Sequence, residues 1–182
     1  VCAVTPWSGS TADLLPDYVE AVRGFDAVSV VDNASDEGTA RALRKAAEAP
    51  GWTLLRNEEN CGFAGGNNQG YEAIVRSRTR IFPDDVVVFL NSDVRAHRSF
   101  VDRIREDVGE DAYGPVMNFQ MVYGMWVPYL DGWCIAARRA TWDRLVVSGR
   151  GGPWDDVRYA HPYWEDNDLC LRAMRSGVAL VS

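Results

Sequence analysis

Short apolar runs alternate with stretches of helical periodicity in the N-terminal part of the chain, and this alternation constrains the fold more than any other feature. Four strand-then-helix units follow one another directly. Because a helical crossover returns each strand in the same direction, the repeat predicts a mostly parallel sheet covered by helices on both faces. The predicted strands are 1–4, 27–31, 52–56 and 86–90, and the predicted helices are 12–23, 36–48, 67–78 and 99–108.

The C-terminal part follows a different pattern. Residues 112–137 alternate apolar side chains with turn residues, which predicts two or three strands, partly antiparallel. Helical periodicity returns at 138–147 and 164–176, and a closing strand is predicted at 178–181. The glycine-rich segment 149–156 is predicted to be a mobile loop.

Length and composition limit the class of protein. The chain has 182 residues, of which 47% are hydrophobic, with no repeat, low-complexity segment or long linker. We therefore expect a single α/β domain over 1–182, with a nucleotide-binding half of about 1–95 and an acceptor and catalytic half of about 96–182. Nineteen basic against 26 acidic residues give a net charge of −7, which argues against nucleic acid as a partner.

No apolar run approaches the ~18 residues of a membrane-spanning helix, so we expect no transmembrane segment. No signal peptide is visible either, which predicts a cytoplasmic location and leaves peripheral contact with a membrane open. Because no two cysteines form a CxxC pair, we expect free thiols. The cysteines are Cys2, Cys61, Cys134 and Cys170.

Ligands of open α/β sheets bind beyond the carboxyl ends of the strands. This rule selects segments 5–8, 32–35, 57–66 and 91–93, all of which carry polar residues or glycines. In VVDNAS, Asp32 follows a buried strand, where a carboxylate can accept hydrogen bonds from a ribose or a base. Capping of the next helix is an equally good interpretation of this motif.

The segment NCGFAGGNNQG combines glycines with amides before a predicted helix. Glycines allow backbone N–H groups to approach a ligand, and a helix start favours negative charge. Asn67, Asn68 and Gln69 could add side-chain donors. The spacing matches neither a Walker loop nor GxGxxG, so the segment alone is weak evidence of a phosphate site.

Two further motifs place carboxylates at the predicted cleft. In FLNSDV, Asp93 follows a strand that is apolar on both faces, which favours a divalent metal ligand over a helix cap. In YWEDND, the acids Glu165, Asp166 and Asp168 begin a helix beside two aromatic rings. They suit either helix capping or a general base close to a sugar.

Five motifs, VVDNAS, NxxNCGFAGGNNQG, FLNSDV, DGWCIAARR and WEDNDLCLRAMRSG, occur in the order found in inverting family 2 glycosyltransferases. The chain resembles this family over nearly its whole length, and the rhamnosyltransferase-like branch is the most similar. The resemblance implies a GT-A fold, which is a Rossmann-like α/β domain. It also implies that the nucleotide and donor sugar contact Thr5, Pro6, Trp7, Asp32, Asn33, Gly65, Gly66, Asn67, Asn91 and Ser92.

The resemblance further implies a metal and a base. Asn91 and Asp93 occupy the place of the family's DxD motif, with Asn for the first acid, so Asp93 would be the main protein ligand of Mg²⁺ or Mn²⁺. Asp166 falls at the place of the catalytic base, with Glu165 before it. The metal-binding histidine that many members carry after the following strand has no counterpart, because the only histidines are His97 and His161.

The implied reaction is transfer of a sugar from a UDP-, dTDP- or GDP-linked donor to a hydroxyl, with inversion at the anomeric carbon. The acceptor could be a glycan, a lipid-linked glycan or a small molecule. The floor shared by donor sugar and acceptor would comprise Asp131, Gly132, Trp133 and Trp164.

Two other functions remain open at this point. A nucleotide-sugar-binding module without catalysis would keep the same pocket. A nucleotidyltransferase would share the sheet and the metal carboxylates, but its basic glycine-rich loop after the first strand is missing, since TPWSGSTADLL contains no Lys or Arg.

Overall fold

The computed structural model of the chain describes residues 1–76, 81–160 and 163–182. The strands are β1 Cys2–Trp7, β2 Ala27–Asn33, β3 Trp52–Asn57, β4 Val86–Leu90, β5 Ala112–Tyr113, β6 Met117–Val122, β7 Met125–Leu130, β8 Cys134–Arg138 and β9 Leu180–Val181. The α-helices are α1 Leu15–Ala21, α2 Glu37–Ala46, α3 Gly62–Arg76, α4 Phe100–Asp107, α5 Arg139–Leu145 and α6 Glu165–Arg175. A 3₁₀ turn, Ala12–Leu14, precedes α1.

Seven strands form one sheet in the order β3-β2-β1-β4-β8-β5-β9. The first four run parallel, as the strand-then-helix repeat predicts, and β8 joins β4 in the antiparallel direction. The carboxyl ends of β1 to β4 therefore share one edge with the amino end of β8. This edge brings the turn before β8, which contains Asp131–Trp133, next to the end of β4, where the N–H of Asn91 donates to the carbonyl of Trp133 at 2.9 Å.

Helices cover both faces of the sheet. Buried side chains of α1, α2 and α4 pack on one face, and those of α3, α5 and α6 pack on the other. All five residues of β4 are buried, because a central strand in such a sheet contacts helices on both sides. This architecture confirms the predicted α/β fold with a mostly parallel sheet.

The C-terminal half contains more strands than predicted. Segment 112–137 forms four strands, two of which pair as a separate antiparallel hairpin, β6–β7, beside α6.

The four cysteines are free, as expected. Within 1–76, 81–160 and 163–182, no helix combines the length and apolar character needed to cross a bilayer.

Helix α3 begins at Gly62, so the prediction that this helix starts at residue 67 is wrong; its predicted end at residue 78 lies outside the described residues. A Cβ at Gly66 would lie 2.8 Å from the Cβ of Pro6, and a Cβ at Gly70 would lie 2.5 Å from Cγ1 of Val4. These glycines let the helix approach β1 and β2 more closely than any side chain would allow.

Segment 149–156 is anchored to the core, so the prediction of a mobile loop is also wrong. Trp154 is fully buried, and its ring packs edge-on against Phe63 and Phe89. Its backbone N–H donates to Oδ1 of Asn68 at 3.0 Å, and its carbonyl accepts from Nδ2 of Asn68 at 2.8 Å. This pair fixes the segment to α3.

The close approach of α3 generates a prediction about stability. We expect Gly70→Ala to lower the urea midpoint of unfolding, because overpacking against Val4 costs about 1–3 kcal/mol. This cost exceeds the ~1 kcal/mol that alanine gains in helix propensity. Gly109→Ala is the matched control, since a Cβ there meets nothing within 4 Å. Equal midpoints for the two variants would contradict the packing role.

Candidate active site

A cavity of about 270 Å³ opens at the edge where the parallel strands end. It contains the end of β1, the end of β2, the start of α3 and the residues after β4, so it lies at the edge that the strand-end rule selects. The lining residues are Pro6, Trp7, Ser8, Asn33, Asn60, Gly62, Phe63, Asn91 and Ser92. Five of them were predicted to bind the donor: Pro6, Trp7, Asn33, Asn91 and Ser92.

Amide side chains fix the wall of this cavity between β2, β3 and α3. Nδ2 of Asn57 donates to Oδ1 of Asn33 and to Oε1 of Gln69, both at 2.8 Å. Nδ2 of Asn33 donates to the carbonyl of Gly62 at 3.1 Å, and Sγ of Cys61 contacts Oδ1 of Asn33 at 3.0 Å. The abundant amides therefore hold the start of the helix against the strand ends.

Asn68 was expected to offer its amide to a ligand, and that expectation is wrong, because both of its polar side-chain atoms bond to the backbone of Trp154. Asn67 is also fully buried, and its Nδ2 donates to the carbonyl of Phe63 at 3.1 Å. Contact between Asn67 and the donor stays a prediction.

Asp32 lies at the end of β2, beneath the surface. Its side chain is fully buried and forms an ion pair with Arg56, and its Oδ1 accepts from the N–H of Ser35 at 2.9 Å. The side chain of Arg56 is 39% exposed, so the pair presents its cationic partner to solvent. Contact of Asp32 with a base or ribose stays a prediction.

Three further residues predicted to bind the donor lie behind the cavity wall. Thr5 lies inside β1, which extends to Trp7, and its Oγ1 accepts from the hydroxyl of Tyr18 at 2.7 Å. Gly66 lies directly behind Pro6 and Asn33, and Gly65 lies against Cys61. These residues set the position of the wall, and their contact with a donor stays a prediction.

Asp93 follows Ser92 at the rim of the cavity. Its side chain is exposed, and no hydrogen bond or ion pair to another described residue engages its carboxylate. Among residues 1–76, 81–160 and 163–182, no three His, Cys, Asp or Glu side chains are grouped to hold a metal ion. The donor set fits a cation such as Mg²⁺ that binds one carboxylate and takes its other oxygens from phosphate and water. His161 lies outside the described residues.

A second cavity, of about 430 Å³, lies between the β6–β7 hairpin and the start of α6. It contains three residues that were predicted to act in catalysis or to bind the acceptor: Trp164, Glu165 and Asp166. The lining residues are Phe119, Gln120, Tyr129, Tyr163, Trp164, Glu165, Asp166 and Asn167.

Two backbone hydrogen bonds orient the carboxylate of Asp166. Its Oδ2 accepts from the N–H of Gly132 at 3.2 Å, and its Oδ1 accepts from the N–H of Asn167 at 2.8 Å. Gly132 belongs to the turn whose Trp133 carbonyl is bonded to Asn91 of the first cavity. The second cavity thus adjoins the first through a single turn.

Burial tunes both acids at the start of α6. Desolvation raises the pKa of Asp166, although backbone N–H groups of Asn167 and Gly132 act in the opposite direction. Desolvation also raises the pKa of Glu165, and the neighbouring Asp166 adds to this effect. Oε2 of Glu165 is buried without a hydrogen-bond partner among the described residues. A carboxylate with a raised pKa in a cavity is a suitable proton acceptor.

The backbone before α6 is strained. Tyr163 and Trp164 both have left-handed conformations, with φ of 97° and 77°, which are uncommon for aromatic residues. Both rings are exposed, Tyr163 to 79% and Trp164 to 55%. Such strain is concentrated at functional sites, where it directs side chains toward a ligand.

The predicted floor is only partly assembled around Asp166. Gly132 contacts Asp166 directly, and Oδ1 of Asp131 accepts from Nδ2 of Asn118 at 2.6 Å. The ring of Trp133 lines a different cavity, between α4 and Pro115. Its role as a sugar platform stays a prediction.

Sequence reasoning missed several lining residues. Ser8, Asn60 and Phe63 line the first cavity; they lie within the segments that the strand-end rule selects, although they were not named as donor contacts. Phe119 and Tyr129 line the second cavity through the hairpin. No local signal identifies these two, because their position depends on how the hairpin packs beside α6.

The comparisons with known proteins agree with this geometry. A profile of the family described as Glycosyl transferase family 2 matches residues 9–152. The match covers well over half of the chain, so the chain belongs to glycosyl transferase family 2. No curated protein sequence matches it.

Solved structures of glycosyltransferases share the fold. The mannosyltransferase PcManGT from Pyrobaculum calidifontis, solved with GDP-Man and Mn²⁺, is similar over 100% of this chain and 53% of its own, with a TM-score of 0.69 and 20% identity. S. aureus TarS 1-349 with UDP-GlcNAc is similar over 96% of this chain and 53% of its own, with a TM-score of 0.61 and 15% identity.

Glucosyl-3-phosphoglycerate synthase from Mycobacterium tuberculosis, solved with UDP, is similar over 99% of this chain and 68% of its own, with a TM-score of 0.59 and 16% identity. Identities at this level establish the fold alone. The chain spans about half the length of the PcManGT and TarS chains, 53% in each case.

Glu165 generates a prediction about pH dependence. Because its folded-state pKa is raised, its ionisation destabilises the folded state above that pKa, and the penalty disappears as the pH falls below the unfolded value. We expect Glu165→Gln to melt at a higher temperature than wild type near pH 8, and the difference to vanish toward about pH 4. Glu48→Gln, at an exposed position after α2, is the control. A pH-independent difference would indicate a packing effect.

Proposed function

We propose that the chain is the catalytic domain of an inverting glycosyltransferase that moves a sugar from a nucleoside diphosphate to an acceptor hydroxyl. One observation carries the proposal: the desolvated carboxylate of Asp166 adjoins the strand-end cavity through the turn at Gly132. The order of the five sequence motifs supports the rhamnosyltransferase-like branch of the family.

The donor nucleotide would occupy the cavity at the strand ends. Pro6 and Phe63 offer apolar contact area, and Asn91 and Ser92 offer polar groups beside it. The proposal is supported by the solved complexes, because PcManGT is described with GDP-Man and TarS with UDP-GlcNAc. Both ligands are nucleoside-diphosphate sugars, which leaves UDP-, dTDP- and GDP-linked donors as candidates.

Asp93 would hold a divalent cation, Mg²⁺ or Mn²⁺, against the diphosphate. When bound, such a cation neutralises charge that develops on the departing nucleoside diphosphate. The description of PcManGT with Mn²⁺ supports this assignment. Asn91 would contribute a neutral amide where the family commonly carries an acid.

In the proposed reaction, Asp166 accepts the proton of the acceptor hydroxyl as that oxygen attacks the anomeric carbon. The new C–O bond forms on the face opposite the bond to the diphosphate oxygen. That bond breaks, and its electron pair leaves with the nucleoside diphosphate, so configuration inverts. The hydrogen bonds from Gly132 and Asn167 hold the carboxylate in one orientation during the proton transfer.

A nucleotide-sugar-binding module without catalysis would need the first cavity alone. The strained approach to α6 and the raised pKa of Asp166 favour an enzyme, because neither feature stabilises the folded state. Family membership also disfavours a nucleotidyltransferase.

A donor panel tests the first cavity. We expect one UDP-, dTDP- or GDP-linked sugar with Mn²⁺ to raise the melting temperature, because a ligand at a hundredfold excess over its Kd stabilises by about 2.7 kcal/mol. Release of the nucleoside diphosphate is then assayed with the donor that binds. Binding without release, by transfer or by hydrolysis, would support the module instead.

Two isosteric variants separate the proposed roles. We expect Asp166→Asn to lower transfer by ~10²–10⁴-fold and to keep donor affinity, since the base acts only in the chemical step. We expect Asp93→Asn to weaken the Mn²⁺-dependent affinity for the donor. Asp84→Asn, at an exposed carboxylate before β4 on the opposite edge of the sheet, should change neither. Wild-type turnover in Asp166→Asn would show that another group takes the proton.

A further inference from the structure

A groove of about 600 Å³ runs between the β6–β7 hairpin and the outer side of α6. It is larger than the cavities at the strand ends and at Asp166, and the proposed transfer reaction leaves it unused. Its two walls differ in chemistry, because the hairpin supplies apolar side chains and the other wall supplies arginines.

The hairpin wall is apolar and exposed. No charged residue occurs between Asp111 and Asp131, although 25% of the chain is charged. Tyr123 is fully exposed and Met125 is 66% exposed, and both line the groove with Val122. An exposed apolar surface of this kind indicates a binding site.

The opposite wall is cationic. Arg158, Arg172 and Arg175 line it with a single acid, Asp168, whose carboxylate bonds to Arg172 at 2.7 Å and lies 3.9 Å from Arg158. Arg175 is exposed, and no hydrogen bond or ion pair to another described residue engages its guanidinium. In a chain with a net charge of −7, this local excess of positive charge favours an anionic ligand.

Arg172 is held rigidly. Its Nη1 donates to the carbonyl of Leu145 at 2.9 Å, and its Nη2 donates to the carbonyl of Pro153 at 2.7 Å. Arg175 and Arg158, whose guanidinium is held by the long 3.9 Å ion pair to Asp168, are therefore better placed than Arg172 to reach a ligand.

The groove continues into the cavity of the proposed base. Gln120, Trp164 and Asn167 line both, so a molecule in the groove reaches Asp166 without leaving the protein surface. An apolar wall, a cationic wall and a reactive end together describe a site for an amphiphile.

We propose that the acceptor is a single-chain phosphate amphiphile. Its anionic group contacts Arg158 and Arg175, its apolar chain lies on Val122, Tyr123 and Met125, and its accepting hydroxyl reaches Asp166. This inference rests on the proposed function, because the base at Asp166 gives the acceptor its direction in the groove.

Calorimetric titration tests the proposal with farnesyl phosphate as the probe. Farnesol and inorganic phosphate supply the chain and the anion separately. We expect farnesyl phosphate to bind at least about tenfold more tightly than either, because both walls are then engaged. Vesicles of phosphatidylcholine with phosphatidylglycerol are the fourth ligand, and we expect them to bind less tightly than monomeric farnesyl phosphate.

Variants of each wall separate the contributions. We expect the double variant Arg158→Gln with Arg175→Gln to bind farnesyl phosphate about tenfold more weakly than wild type. Its affinity for farnesol should be unchanged. Met125→Ser should lower the affinity for both farnesyl phosphate and farnesol, because both carry the apolar chain. Arg41→Gln on α2 and Phe82→Ser before β4 replace exposed residues of the same kinds away from the groove, and they should bind like wild type.

Four results would overturn the proposal. Inorganic phosphate binding as tightly as farnesyl phosphate would indicate a simple anion site, and farnesol binding as tightly would indicate an apolar site without anion recognition. An unchanged affinity in the double arginine variant would remove the cationic wall. Strong binding to vesicles without binding to monomeric farnesyl phosphate would indicate a membrane-docking surface instead.

The outcome is separable from that of the proposed function, because these titrations contain no sugar donor. If the groove binds the amphiphile but Asp166→Asn keeps full transfer, the assignment of Asp166 as the base fails, and the assignment of the groove as an amphiphile site still holds. If transfer depends on Asp166 but the groove variants bind farnesyl phosphate like wild type, the proposed acceptor class is wrong. The proposed glycosyltransferase function still holds in that case.

Discussion

The close packing of α3 on β1 and β2 is the constraint on which the rest of the structure depends. Gly66 and Gly70 remove the side chains that would hold the helix away from the sheet. The helix start is then held at the strand ends by the amide network of Asn33 and Asn57. A Cβ at Gly66 would meet Pro6 and Asn33, which line the first cavity, so the absence of this atom helps to set the position of the cavity wall.

The start of α6 places two opposing electrostatic effects on the same carboxylates. A helix N-terminus favours ionised acids, and backbone N–H groups stabilise Asp166 further. Burial opposes both and prevails, because the pKa values of Glu165 and Asp166 are raised. The raised pKa values of these carboxylates therefore lower the stability of the folded state, as is common for residues at active sites.

Local patterns predicted most of the fold, and long-range contacts account for what they missed. The bounds of β4 match the prediction because its apolar run ends at polar residues on both sides. The start of α3 was misplaced because glycines have low helix propensity, which packing on the sheet overrides. At the site, the strand-end rule located Asn33 and Asn91, but no local signal indicates that Arg56, distant in sequence, binds the carboxylate of Asp32.

Helix α6 carries Asp166 in its first turn and Arg175 in its last. The two positions are nine residues apart, and a helix rises about 1.5 Å per residue, so they stand roughly 13.5 Å apart along a rigid axis. A molecule that spans both must match this length. The helix therefore fixes the distance between the carboxylate end and the arginine end of the site. Under the proposed function, it would discriminate among acceptors by the spacing between their hydroxyl and their anionic group.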